Sequence, residues 1–223
     1  VLDDGWFSNR DNDMAGLGNY EVNRKKLPHG LKGLSHHAHQ LGLKFGLWFE
    51  PEMVSEDSDI YRKHPEWIIH IPSIKPSKGR HQYAFDLTRK EVQDYIISQV
   101  SQTLESAAIE YVKWDYNRNL SDLYSHSGHH STFFYDYTKG LYMILATLTS
   151  RFPTVLWEGC ASGGNRFDLG VLHYFDQIWA SDCSDAFERV RILKNLALMY
   201  PLSVISSHVS AVPNHQTLRT IDM

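Results

Sequence analysis

The sequence predicts an α/β fold on a parallel sheet, read as a (β/α)8 TIM barrel that lacks its first βα unit. Three observations lead there. Short apolar runs and longer helical patterns alternate about seven times along the chain, with no Ser/Gly linker to divide them. Nearly every apolar run ends in charged or polar residues, as the C-terminal rim of a barrel requires. No GxGxxG follows the first run and no GxxxxGKS/T occurs, so the nucleotide-binding open sheets lack their loops.

Taken in order, the opening VLDD (1–4) reads as a strand ending in Asp3 and Asp4, with Trp6 just beyond. GLKGLSHHAHQLG (30–42) repeats Leu31, Leu34 and Ala38 at helical spacing and stops at Gly42. KFGLWF (44–49) is a strand that runs into Glu50 and Glu52, and QYAFDL (82–87) is a strand holding Asp86. TRKEVQDYIISQVSQTLESAA (88–108) begins with Thr88 and Glu91 in the capping-box pattern. YVKWDY (111–116) is a strand carrying Asp115, and TFFYDYTKGLYMILATLTSRF (132–152) is the next helix. TVLWEG (154–159) ends at Glu158 and Cys160, and QIWAS (177–181) ends at Asp182. SDAFERVRILKNLALMY (184–200) reads as a helix and LSVISS (202–207) as the last strand. About seven strands leave a barrel one short. The chain opens abruptly inside a strand pattern, so a first βα unit is expected to have been cut away.

Composition narrows the function. The 223 residues are 42% hydrophobic and 22% charged with a formal net charge of −4, an ordinary globular make-up in one domain or a large part of one. Charges of both signs are interspersed, which argues against a nucleic-acid partner. No apolar run reaches the length of about eighteen residues that a membrane span needs. The two cysteines, Cys160 and Cys183, form no CxxC, so nothing calls for an oxidising compartment. A cytoplasmic, bacterial location is expected, with an upstream signal peptide left as an open alternative because no initiator Met is present.

The rim residues suggest sugar chemistry. Glycoside hydrolysis needs two carboxylates flanking one bond, and Asp115 and Asp182 come from different strand ends. A separation of roughly 5–5.5 Å would mean retention of configuration, and a longer one inversion. Lys113, two residues before Asp115, points to the same side of the strand, where an ammonium favours an ionised neighbour. Trp6, Trp48, Trp114 and Trp179 offer flat faces for sugar rings. Each feature has a plain structural alternative: a strand-end Asp in an ion pair, a Lys113–Asp115 salt bridge, core tryptophans. The histidines of SHHAHQ (35–40) and HSGHH (126–130) lack HExxH spacing, so no metal site is expected. The Gly pair of CASGGNRFD (160–168) suits a close backbone approach rather than a phosphate loop.

VLDDGWF, GLWFEPEMVSEDSDIYRKHPEW, YVKWDYNR, EGCASGGNRFD, WASDCSDAFER and SSHVSAVPNHQT, in this order from end to end, resemble the α-galactosidases of glycoside hydrolase family 36. That resemblance implies the substrate and the residue roles. Asp115, in the K-W-D motif, corresponds to the nucleophile. Asp182 rather than Asp185, in W-x-S-D, corresponds to the general acid/base. Asp3 and Asp4 are implied to hold the galactose 4- and 6-hydroxyls. Trp48, Arg80, Lys113, Asn117, Cys160, Gly163 and Trp179 are implied to complete the sugar site. WASDCSD departs from the W-T-S-D-N-T-D of relatives at Ala180 and Cys183 beside the implied acid/base, neither of which removes a carboxylate. The implied reaction is hydrolysis of terminal α-linked galactose, as in melibiose and raffinose, through a covalent galactosyl-enzyme, with no cofactor. Residues 1–223 are then a partial barrel, its flanking N-terminal β-sandwich and C-terminal β domain absent, from a parent expected to form a homo-oligomer, a tetramer. A galactosyltransferase like raffinose or stachyose synthase is the alternative within the fold. A non-catalytic fragment that binds galactosides is the alternative outside it.

Overall fold

The computed structural model describes residues 1–124, 128 and 130–218, which fall into two compact units, Val1–Leu156 and Trp157–Met223. In the first unit the elements are α1 (Gly30–Gln40), β1 (Gly46–Phe49), β2 (Met53–Ser55), α2 (Asp59–Lys63), β3 (Gln82–Ala84), α3 (Lys90–Glu105), β4 (Tyr111–Trp114) and α4 (Phe133–Arg151).

β1 and β4 run parallel, from Gly46 opposite Tyr111 to Phe49 opposite Trp114. All of β1 is buried, which explains its unbroken apolar sequence: both faces of the strand are covered. Gly46 is required there, because a Cβ would stand 2.7 Å from the Tyr111 Cβ. In α3, Val92, Ile96, Val100 and Leu104 recur every fourth residue and form the buried stripe. α4 packs against α3 through its own stripe of Tyr137, Leu141, Ile144 and Leu148. The contact is close at Gly140, where a Cβ would lie 2.0 Å from the Leu87 carbonyl oxygen.

Three expectations for this unit need correction. The opening VLDD is a single parallel bridge along β1, Leu2 to Leu47, because only Leu2 exchanges backbone bonds with Gly46 and Trp48. The segment 82–87 does not join the parallel strands. Its β3 pairs antiparallel with β2, Met53 opposite Ala84, a direction of pairing that a three-residue apolar run cannot signal. The Thr88–Glu91 capping box is not formed: Thr88 donates its hydroxyl to Asp86 Oδ1 at 2.6 Å, and α3 starts after Arg89. Thr88 N also donates to Asp86 Oδ1, at 3.0 Å, so Thr88 belongs to a turn closed on Asp86 and lies one residue ahead of the Arg89 N-cap.

The second unit contains β5 (Leu156–Gly159), β6 (Gln177–Trp179), α5 (Ala186–Leu196) and β7 (Ile205–Ser206). β5 pairs with β6 and β6 with β7, both parallel, and α5 is the crossover between β6 and β7. Asp185 caps α5, accepting from Phe187 N and Glu188 N at 3.1 Å each. The architecture is α/β with parallel strands, as the alternation predicts.

Candidate active site

The parallel register of β1 and β4 brings their C-terminal ends to one edge, with Asp115 N donating to Phe49 O at 2.7 Å. Asp115 follows directly on the fully buried Trp114, and it is itself 7% exposed. Its carboxylate accepts from Trp48 Nε1 (3.0 Å) and Asn117 Nδ2 (2.7 Å) on Oδ2, and from Tyr116 N (2.8 Å) on Oδ1. Donors to a charged acceptor contribute roughly 1.5–3 kcal/mol each, which offsets the cost of burying the anion. Trp48 is fixed in turn by Trp6, whose Nε1 donates to the Trp48 carbonyl at 3.0 Å, and by the parallel ring of Phe7.

The remaining predicted residues of this unit flank that carboxylate. Lys113 Nζ binds Asp3 Oδ2 at 3.2 Å, so the ammonium beside the Asp115 strand is engaged by the opening segment. Asp4 is gripped bidentately by Arg10, with Nε to Oδ1 at 3.0 Å and Nη2 to Oδ2 at 2.8 Å. Both carboxylates are exposed, Asp4 held by the buried Arg10 and Asp3 by Lys113. Arg80 sits exposed at the tip of a turn closed by Gly79 and Gln82, and among the described residues no hydrogen bond joins it to the Asp115 cluster.

Glu50 was legible in the sequence only as a strand-end carboxylate, yet it is 2% exposed and accepts from Gln82 Nε2 at 2.6 Å and Asn117 N at 2.7 Å. Burial, and then the nearby Asp115 charge, push its pKa up from 4.5 to about 7. Its backbone amide donates to the Tyr20 hydroxyl at 3.1 Å, and burial raises that phenol well above 10. Glu52, fully buried, accepts from Trp114 Nε1 at 2.9 Å and Tyr137 OH at 3.0 Å, tying β4 to α4.

In the second unit, Asp182 is exposed beyond β6, and its Oδ1 accepts from Trp179 Nε1 at 2.9 Å. His208 stacks on Trp179, ring centroids 4.9 Å apart and planes 10° from parallel. Gly163 has φ +86, and a Cβ there would meet Ser181 Cα at 2.9 Å and Asp182 N at 3.1 Å. The Gly pair therefore lets the CASGG loop lie against the backbone that carries Asp182, the close approach expected of it. Cys160 is buried at the end of β5. Asp185 spends its carboxylate on the α5 cap, which leaves Asp182 as the open acid of the motif. Arg10, Gln82 and His208 are supports that the sequence did not single out. They act through other side chains or a bond to one, and carry no spacing signature.

Among the described residues no three His, Cys, Asp or Glu side chains gather as a set able to hold a metal ion, and no helix is long and apolar enough to cross a membrane. His39 of the first His cluster pairs with Glu110 at 2.8 Å. His126 and His129 of the second lie outside the described residues.

The melibiase family model matches residues 1–223. Alpha-galactosidase AgaA of Geobacillus stearothermophilus is 49% identical over 226 residues, covering 100% of this chain and 31% of the relative. Alpha-galactosidase Mel36A of Lactobacillus acidophilus is 47% identical over 222 residues, covering 98% of this chain and 30% of the relative. The crystal structure of AgaA superposes with a TM-score of 0.96 over 99% of this chain and 31% of that one. A variant of AgaA solved in complex with raffinose gives 0.95 at 48% identity, again over 99% and 31%. The chain thus spans about a third of the length of the curated relatives it matches. With its whole length matched, the chain belongs to the melibiase family.

Proposed function

We propose that the full-length protein carrying this chain is a retaining α-galactosidase acting on raffinose-type oligosaccharides, and that residues 1–223 form part of a (β/α)8 barrel with its site on the C-terminal rim. One observation carries the reading: a carboxylate, Asp115, buried to 7% exposure at a parallel strand end and seated by three donors. A structural aspartate of that burial would be expected to pair with a cation; this one is seated by the neutral donors Trp48, Tyr116 and Asn117. The family membership and the raffinose and stachyose complexes of AgaA variants supply the substrate class.

In this mechanism Asp115 attacks the anomeric carbon of a terminal α-galactosyl unit. Oδ2 already accepts two donors and Oδ1 only one, so Oδ1 retains the free lone pair and is the attacking atom. As the C1–O bond breaks, the departing oxygen takes a proton from Asp182. Water then gives a proton to Asp182 and attacks C1, the bond to Asp115 breaks, and galactose leaves with its α configuration kept. Trp179 holds Asp182 through Oδ1 and leaves the other oxygen open for the proton. Lys113 with Asp3, and Asp4 braced by Arg10, form the hydroxyl-binding edge. Inverting the 4-hydroxyl would forfeit its hydrogen bonds to that edge, which is the physical source of selectivity against glucosides. Cys160, Gly163 and Trp48 are the further sugar-contacting residues of this reading. The parent assembles as a homo-oligomer.

Asp182→Asn tests the acid/base role. General acid catalysis is worth roughly 10²–10⁴-fold, so turnover of raffinose should fall by about 10³-fold. Aryl galactosides with activated leaving groups should still form the galactosyl-enzyme and stall there. Equal losses on both substrates would remove Asp182 from the role.

Arg80 and His81 both adopt left-handed backbone, φ 51 and 63, in a turn that ordinarily takes Asn-Gly. Such strain costs about 1–3 kcal/mol per residue and is kept where a side chain is needed. The double variant Arg80→Asn, His81→Gly should therefore unfold at higher temperature, by about 1–2 kcal/mol, and should raise the KM for galactosides. A lower melting temperature, or an unchanged KM, would contradict this.

A further inference from the structure

Glu50 has no role in the scheme above, although it lies at the junction of two segments that do. Both hydrogen bonds it accepts end on Oε1, from Gln82 Nε2 at 2.6 Å and from Asn117 N at 2.7 Å. Gln82 closes the turn that presents Arg80, bonding Gly79 through both backbone groups at 3.1 Å. Asn117 carries the side-chain amide that grips Asp115 Oδ2 at 2.7 Å. One buried oxygen therefore joins the Arg80 turn to the seat of Asp115.

Neither donor is a cation. The ionisable groups that face Glu50 are Asp115, across the strand ends, and Tyr20, whose hydroxyl accepts from the Glu50 amide. Arg10 and Asp4 stand behind Tyr20, already bound to each other. A second negative charge beside Asp115 would sit in low dielectric with no positive partner in contact, so the pair is unfavourable while both are ionised. A carboxylic acid avoids that cost and still accepts both amides; the two donors by themselves favour the ionised form, but burial and the Asp115 charge outweigh them.

We propose that Glu50 is a positioning residue that locks the Arg80 turn and the Asp115 seat together while it is a neutral carboxylic acid, and loosens both when it ionises. The inference rests on the reading of Asp115 as nucleophile. Burial and the Asp115 charge set the proton loss at about pH 7, in agreement with the geometry. The lock is thus closed in mildly acidic solution and open in alkaline solution.

The experiment uses the full-length protein and an aryl α-galactoside whose leaving group departs without acid assistance, so that titration of Asp182 leaves the first step unaffected. For the wild type, kcat/KM should fall on the alkaline side with a midpoint near 7. Glu50→Ala should lose on the order of 100-fold in kcat/KM, the scale expected of a misplaced catalytic group. Its KM should rise together with the fall in kcat, because both tied segments are released. Glu50→Gln, which keeps the accepting carbonyl and cannot ionise, should recover at least about 10-fold of that loss. It should also move the alkaline midpoint upward.

A Glu50→Gln profile with the wild-type midpoint, or a Gln variant as impaired as the Ala variant, overturns the proposal. Infrared titration guards against misfolded variants. A buried carboxylic-acid carbonyl band should vanish from the wild type near pH 7, and should vanish likewise from Asp182→Asn. Absence of such a band in both folded proteins also overturns the proposal. If Asp115→Asn retains turnover, the nucleophile reading fails instead, whatever the Glu50 variants do.

Discussion

Asp115→Asn is expected to reduce turnover of any α-galactoside by roughly 10⁴-fold or more, as removal of a covalent nucleophile does in other enzymes. The seat around it explains why an amide is no substitute. Trp48 and Asn117 both donate to Oδ2, and Tyr116 donates to Oδ1. If the amide oxygen faces Trp48 and Asn117, its NH2 meets the Tyr116 N–H, donor against donor. The reverse orientation sets the NH2 against two donors. Either way a buried group is left unpaired at a cost of about 1–3 kcal/mol, so the melting temperature should drop as well. Asp115→Gly separates chemistry from strain: it vacates the seat, and added azide should restore turnover and yield the β-galactosyl azide. Near-normal activity of the Asn variant would remove Asp115 as nucleophile. Rescue that gives the α-azide would remove the proposed direction of attack.

Gly140→Ala is expected to be the most damaging single-methyl addition in the first unit. In an ordinary helix interior this exchange stabilises by about 1 kcal/mol. Here the new Cβ would stand 2.0 Å from the Leu87 carbonyl oxygen and 2.9 Å from its carbon, a backbone group that Gln93 Nε2 also holds at 2.8 Å. The obstacle cannot swing aside as a flexible side chain would, so α4 must lift off the segment leading into α3. Overpacking of that kind costs roughly 3 kcal/mol, and at this size each kcal/mol lowers the melting temperature by about 2–4 °C. A fall of about 6–12 °C is therefore expected in calorimetry. An unchanged or raised melting temperature would mean that α4 is not seated on Leu87.

Much of this was legible because strands buried on both faces announce themselves and because carboxylates at their ends stand out. Asp115 could be picked from YVKWDY, since an acid between Trp114 and Tyr116 has no business in a core without partners. The partners themselves were harder to see. Trp48 and Asn117 were named by family resemblance, whereas position at a strand end left Trp48 open between a face for a sugar ring and a core residue. Glu50 went unassigned because its work is done on a backbone amide, and a backbone amide has no letter in the sequence. Arg10 was missed because the Asp4 it grips lies across an irregular turn with no periodic spacing. The antiparallel β2–β3 pair was hidden for another reason. The three-residue β2 was not read as a strand at all, and the run at 82–87 leaves its direction of pairing to the intervening segment, which holds a helix and a turn that local propensity does not rank highly.

The strained turn at Arg80 and His81 bears on how sequences of this kind drift. Selection for cellular abundance alone rewards relief of left-handed backbone, so Gly and Asn variants at these two positions should rise in a scan that reads only protein level. Selection for growth on a galactoside should remove the same variants. Where two such scans part company, they mark residues kept for chemistry at the expense of the chain's own comfort, and positions 80 and 81 are where that divergence should be widest.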